Sequence, residues 1–346
     1  MTQSVELTEG GKSVLFTDRK VPWMKLGEIT NGAVTSKEAA EKGGLNFTVS
    51  LHDVYFTCDK TTVVTGVGDE SAIETGEVND TSPECLRKMT NRKIVVRDDT
   101  LEPLAVVSAG YPVLQYHEAF NFMDTVNTQY VAAGSLKGGK QGFMVVRAPD
   151  DMQINVLDGG DPHDMYMVLR TSHDLTRAVE VTAMPLRGKC MNQLTLSSFA
   201  TNVKHRWSIK HTSTMQAKLA EAQSSIKQIG AYAQRFNELA QRLSQVKIND
   251  EKAKYILLSH VLPKGASKRE DVATTIIEKW HNAPTVGWSG TGWGLVNAVS
   301  EYYDWGRSGG SPESRFLAAL EGQTHKAINK TALMLLRDTP MLGAKK

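Results

Sequence analysis

The chain has 346 residues, 40% hydrophobic and 23% charged, with a formal net charge of +2; this is the composition of a folded globular protein with room for two domains, and it excludes a disordered chain. No run approaches ~18 consecutive apolar residues, which excludes a membrane-spanning helix, and the first 30 residues carry Glu6, Glu9, Asp18, Arg19 and Lys20 with no apolar signal region. Cys58, Cys85 and Cys190 lie far apart, without disulfide-framework or zinc spacing, so reduced thiols in a cytoplasm are expected.

Residues 1–45 are turn-rich, with Gly10-Gly11, Asn31-Gly32 and Gly43-Gly44, and form an expected arm. Strand-like runs at 47–51 and 54–57 lead through Asp59-Lys60 to Thr61–Thr65, the pattern of a hairpin. Asp69, Glu70, Glu74, Glu77, Asp80 and Glu84 mark an acidic surface loop over 69–85. Further strands are predicted at 93–97, 104–108, 142–148, 165–171 and 177–184, with one helix inserted from Tyr116 to Ala132. Strands, a helix and more strands predict an α+β fold, a mostly antiparallel sheet with helices on one side.

After Pro185 the chain turns helical. Met215, Leu219, Ala222, Ile226, Ile229, Ala233, Phe236, Ala240 and Leu243 alternate steps of four and three, an a/d seam that specifies a long helix lying along a partner. At ~1.5 Å per residue it would span roughly 45 Å. Residues 263–292 read as a linker. The division expected is an N-terminal arm over 1–92, an α+β core over 93–212, the long helix over 213–262 and a tryptophan-rich helical region over 263–346.

Charge is unevenly distributed. No acidic residue lies between Glu180 and Glu221, while Arg187, Lys189, Lys204, Arg206, Lys210 and Lys218 do, with His205, His211, Phe199 and Trp207 among them. A second acid-free window, Asp124 to Asp150, carries Lys137, Lys140 and Arg147 around Gly134-Ser135-Leu136-Lys137-Gly138-Gly139-Lys140. Cations for phosphates, interleaved with rings for bases, suit a nucleic-acid strand; a solvated basic face is the other reading. Gly134–Lys140 lacks the GxxxxGK[ST] pattern, so an ordinary hairpin connection is favoured over a phosphate loop. His173-Asp174 and His163-Asp164 could suggest a metal phosphohydrolase, but turn residues with local hydrogen bonds are favoured. Cys190 with His205 or His211 could form a thiol pair; a structural cysteine is preferred. Trp280, Trp288, Trp293 and Trp305 predict a small aromatic core or, alternatively, an interface between protomers.

Ordered motifs then carry a resemblance: Gly134-Ser135-Leu136 with Gly138-Gly139, Thr171-Ser172-His173-Asp174, Pro185–Leu194, Ile209-Lys210-His211-Thr212, Gly290-Thr291-Gly292-Trp293 and Asn297–Asp304. Together they resemble the phage/plasmid-like protein family known as domain of unknown function nine-three-two, over about Ala105 to Leu336. The departures are Thr171 before Ser172, Leu175 after Asp174, and Met191-Asn192-Gln193-Leu194, where members read Asn-Ser-His-Asp-Gly and Cys-Gln-Asn-Thr-Leu. The element order is also similar to the annealing superfamily of RecT, Red beta and Erf, a likeness at fold level only.

The resulting expectation is ATP-independent single-stranded DNA binding and strand annealing in phage recombination, by a homo-oligomer with no cofactor, metal or membrane. Lys137, Lys140, Arg147, Arg187, Lys189, Lys204, Arg206, Lys210 and His211 would line the DNA path, with Trp207 stacking a base. Leu219, Ile226, Ile229, Phe236, Leu243 and Trp293 would join protomers, although a helical hairpin with 312–337 would use the same seam. The rival expectations are a phage metal-dependent enzyme centred on His173, Asp174 and Asn192, and a structural or host-takeover assembly protein.

Overall fold

The computed structural model describes residues 13–14, 27–28, 35–57, 86–126, 129–150, 154–157, 160–187, 196, 206–209, 227–306, 309, 312–320 and 322–337. Two dipeptide strands, β1 (Ser13–Val14) and β2 (Gly27–Glu28), pair in parallel. Helix α1 (Ser36–Lys42) starts at Thr35, whose hydroxyl accepts the Glu38 N–H at 3.2 Å. The strands β3 (Val49–Thr57), β4 (Leu86–Arg97) and β5 (Pro103–Ser108) form one antiparallel sheet in that order. β4 crosses the domain boundary expected at residue 92. The partner of β3 is this strand, whereas the expected partner at 61–65 lies outside the described residues.

Helix α2 (Tyr116–Phe120) runs into a 3-10 turn, Asn121–Val126, and β6 (Tyr130–Leu136) follows. The helix expected through Ala132 therefore stops short. Tyr130-Val131 are β-formers, and the Tyr130 hydroxyl donates to Asp124 Oδ1 at 2.7 Å. The same carboxylate accepts the Ser36 N–H and hydroxyl, each at 2.7 Å, tying α1 to the turn.

With β7 (Gln141–Arg147), β8 (Ile154–Val156), β9 (Asp161–Ser172), β10 (Val179–Arg187) and β11 (Arg206–Ile209), β6 builds the second antiparallel sheet, ordered β11-β10-β9-β7-β6 with β8 also on β9. Alternation sorts its side chains. Met144, Val146, Met165, Met167, Leu169, Val179 and Val181 face the main core. Phe143, Val145, Tyr166, Val168, Met184 and Leu186 form a second buried cluster on the opposite face. The fold is α+β, as expected.

Helix α3 (Lys227–Gln245) carries the described part of the seam. Ile229, Phe236, Ala240 and Leu243 are buried in the chain's own core, alongside Tyr232 and Leu239. Next come α4 (Asp250–Ile256), a π turn at 257–261, and α5 (Arg269–His281). The expected linker thus contains a helix: Ala273, Ile276 and Trp280 recur at helical spacing and are buried. Helix α6 (Gly292–Glu301) is buried from Gly292 to Ser300 and forms the centre of the C-terminal region, packed against α3, α5 and α8 (Gln323–Arg337), while α7 (Pro312–Leu320) packs on α8. No described helix is long and apolar enough to cross a membrane.

Candidate nucleic-acid interface

The glycine-rich segment is the β6–β7 hairpin turn. Lys137, Gly138 and Gly139 take φ of 56°, 69° and 85°, a left-handed run that two glycines make tolerable. The Lys140 carbonyl accepts the His173 N–H at 2.8 Å, so the turns 137–140 and 173–176 lie side by side at one end of the sheet. The His173 ring is buried 4.2 Å from that of Tyr116, whose hydroxyl donates to the Gly139 carbonyl at 2.7 Å. Burial raises the Asp174 carboxyl, but hydrogen bonds from Thr176 and Ser172 and the charge of Lys137 outweigh it, leaving it below the usual range. His173 is thus a packing residue and Asp174 a turn former. Among the described residues no group of three His, Cys, Asp or Glu is arranged to hold a metal ion.

Among the described residues, the remaining expected cations do not line one groove. Arg147 sits at the far end of β7, paired with Asp150 at 2.7 Å and Asp164 at 3.8 Å, roughly 20 Å from the turn at ~3.3 Å per strand residue. Arg206 and Trp207 are neighbours on β11 and so point to opposite faces. Arg206 joins Arg170 and Arg177 around Glu180, at 3.3, 3.0 and 3.3 Å. Trp207 packs against the main core and donates from Nε1 to Gln228 at 2.9 Å, so its ring is engaged by α3 instead of standing free for a base. Lys189, Lys204, Lys210, His211, Leu219 and Ile226 lie outside the described residues, as do Asn192 and the three cysteines.

Arg187 requires a correction. It is fully buried, with Nε donating to Asp161 Oδ1 at 2.7 Å, while Trp293 Nε1 donates to Asp161 Oδ2 at 2.8 Å. A side chain with no exposed surface cannot reach a phosphate; Arg187 instead joins the sheet to α6. Ile229, Phe236, Leu243 and Trp293, expected between protomers, are likewise interior residues of the single chain.

His163 completes this buried cluster, its Nδ1 2.8 Å from the Asp161 carbonyl oxygen. Burial pushes its imidazole down to about 4 from 6.5. The folded value lies below the unfolded one, so the stabilisation is complete above about pH 6.5 and is lost as pH falls towards 4. We expect a loss on the order of 1 kcal/mol per pH unit in that window. Chemical denaturation at several pH values checks it: His163→Gln should flatten the slope, and an unflattened slope would assign it elsewhere.

A different surface carries the exposed charge, and the sequence windows did not reveal it. β4 holds Arg87, Lys88, Arg92, Lys93 and Arg97 with no acidic residue. β5 pairs with it only from Arg92 to Val96, so Leu86–Asn91 and the end of β3 form a two-stranded ribbon. Tyr55 lies opposite Lys88 and Phe56 opposite Arg87. Tyr55 is 55% and Phe56 47% exposed, on opposite faces. Asp53 binds Lys88 and Lys93 at 2.6 and 2.5 Å; these hydrogen bonds hold its carboxyl below the usual range. Arg87 and Arg92 are exposed and make no ion pair among the described residues.

At the end of β4 away from the ribbon, the Arg97 guanidinium lies 3.9 Å over the Phe47 ring, which is edge-on to Tyr116 at 5.5 Å. Tyr116 reaches the Gly139 carbonyl, so the end of β4 away from the ribbon and the hairpin turn share one packing chain. The usable signal was the acid-free run Leu86–Arg97; the strand expected at 93–97 is its end, and mixed polarity without alternation hid the part before it.

The sequence model of one family, a domain of unknown function (DUF932), matches residues 103–333. That span takes in the second sheet and nearly all the C-terminal helices but not the ribbon. No curated protein and no solved structure matches the chain.

Proposed function

The chain belongs to the DUF932 family, a membership that specifies no chemistry, and we propose that this protein binds single-stranded DNA without ATP and favours strand annealing. The observation that carries the reading is the ribbon: Tyr55 and Phe56 exposed beside Arg87 and Lys88 on paired strands. Exposed rings offer stacking surfaces that only unpaired bases can use, while the cations neutralise the backbone. Lys137 and Lys140, on the hairpin turn, supply further cations for the backbone. Contacts to phosphates and base faces leave base edges free for a complementary strand, the requirement of annealing in phage recombination.

The test is a titration of the full chain with single-stranded and duplex DNA across salt concentrations. Four to six phosphate contacts give a log–log salt slope of about −3 to −4, on the order of a hundredfold between ~50 and ~200 mM salt. Single strands should bind more tightly than duplex, with no change on adding chelator or ATP. Equal affinity for the two forms, or no binding at low salt, overturns the proposal.

A further inference from the structure

Away from the basic surface, three side chains from separate elements meet in line. Asp250 is the first residue of α4, His281 the last of α5, and Ser289 follows the 3-10 turn Val286–Trp288. His281 Nδ1 lies 2.5 Å from Ser289 Oγ, and His281 Nε2 lies 2.8 Å from Asp250 Oδ1. A carboxylate accepts only, so it fixes the proton on Nε2 and leaves the Nδ1 lone pair facing the serine hydroxyl. This is the relation of orienting acid, general base and nucleophile in acyl transfer, recognised by geometry and not by order in the chain.

Two further observations concern the space beside the hydroxyl. Gly290, with φ of 75°, holds its carbonyl on the Ile248 N–H at 3.1 Å, while its own N–H meets no acceptor among the described residues. A Cβ on Gly290 or Gly287 would meet nothing within 4 Å, so the backbone on either side of Ser289 borders open space. The triad is open to solvent, with His281 39% and Asp250 61% exposed.

We propose that Ser289, His281 and the Gly290 N–H form a serine esterase site for small carboxylic esters, with Asp250 as the positioning residue. The proposal is independent of DNA binding. Ser289 Oγ attacks the ester carbonyl carbon as its proton passes to His281 Nδ1, and the oxyanion is met by the Gly290 N–H. Collapse breaks the bond to the alcohol oxygen, which leaves with the proton from His281. Water, deprotonated by His281, then attacks the acyl-serine, releasing the carboxylic acid and restoring the hydroxyl. One ester and one water give one acid and one alcohol. The one exposed apolar neighbour in the turn is Val286, 55% exposed. Short acyl groups therefore fit best.

The test uses the full chain with a fluorophosphonate probe, peptide mapping by mass spectrometry, and p-nitrophenyl acetate turnover. The expected adduct is on Ser289, absent in Ser289→Ala. His281→Gln should slow labelling and turnover about a hundredfold or more, and Asp250→Asn should slow both by a smaller factor. Circular dichroism of each variant separates this from unfolding. A folded wild type carrying no adduct on Ser289, or His281→Gln labelled at the wild-type rate, overturns the proposal.

Discussion

Asp161→Ala is expected to cost about 3–5 kcal/mol of folding stability, the range found when one partner of a buried ion pair is removed. Asp161 and Arg187 are both 0% exposed, so the guanidinium left behind has no water to turn to. Trp293 Nε1 loses its acceptor in the same change, adding the cost of a second unsatisfied group. Because Asp161 and Arg187 belong to β9 and β10 and Trp293 to α6, the loss should loosen the helices from the sheet. Asp161→Asn keeps an acceptor but not the charge and should fall between wild type and alanine. The double replacement Asp161→Leu with Arg187→Met should recover much of the loss, since an apolar pair of similar volume avoids the desolvation of both ions. Equilibrium denaturation of the three variants measures this. A loss below about 1 kcal/mol for Asp161→Ala would mean that water reaches the pair.

The second large effect is on binding. Replacing Tyr55 and Phe56 by alanine removes two stacking surfaces, each worth about 1–3 kcal/mol per base, so single-strand affinity should drop between about 30-fold and about 20,000-fold. Both rings stand in solvent at 55% and 47% exposure, so the fold should survive. Arg87→Ala with Arg92→Ala should act differently, flattening the salt slope by about 1.4 through two lost phosphate contacts. Fluorescence anisotropy at several salt concentrations separates the two signatures. If Lys137→Ala with Lys140→Ala lowers affinity and the ribbon variants do not, the strand runs over the hairpin turn alone.

The pattern of success along the chain follows from the range of the forces involved. The strands near Gly142–Ala148 and Met165–Thr171 were legible because they are continuous apolar runs, buried on both faces. The hairpin turn was legible because Lys137, Gly138 and Gly139 need left-handed backbone, a local requirement. The seam at Ile229, Phe236, Ala240 and Leu243 was legible as apolar spacing, but spacing does not name the partner. Sheet and helices of the same chain fill it, and a buried surface of this kind looks identical in sequence whether a neighbouring protomer or the same protomer covers it.

What sequence alone determined was therefore the α+β class, the helix and strand periods, and an excess of basic residues over certain stretches. The tertiary structure decided which of those charges is exposed. Arg187 is spent on Asp161, 26 residues away in sequence, and no local pattern announces so distant a partner. Arg206 and Trp207 are adjacent in sequence yet separated by the thickness of the sheet, because strand side chains alternate. Arg87 and Lys88 face Phe56 and Tyr55 only through pairing across the segment between β3 and β4. Asp250, His281 and Ser289 are brought within hydrogen-bonding distance by the packing of two helices and a turn. Chemistry at a site depends on distances of about 3 Å, and those are set by the long-range contacts that close the fold.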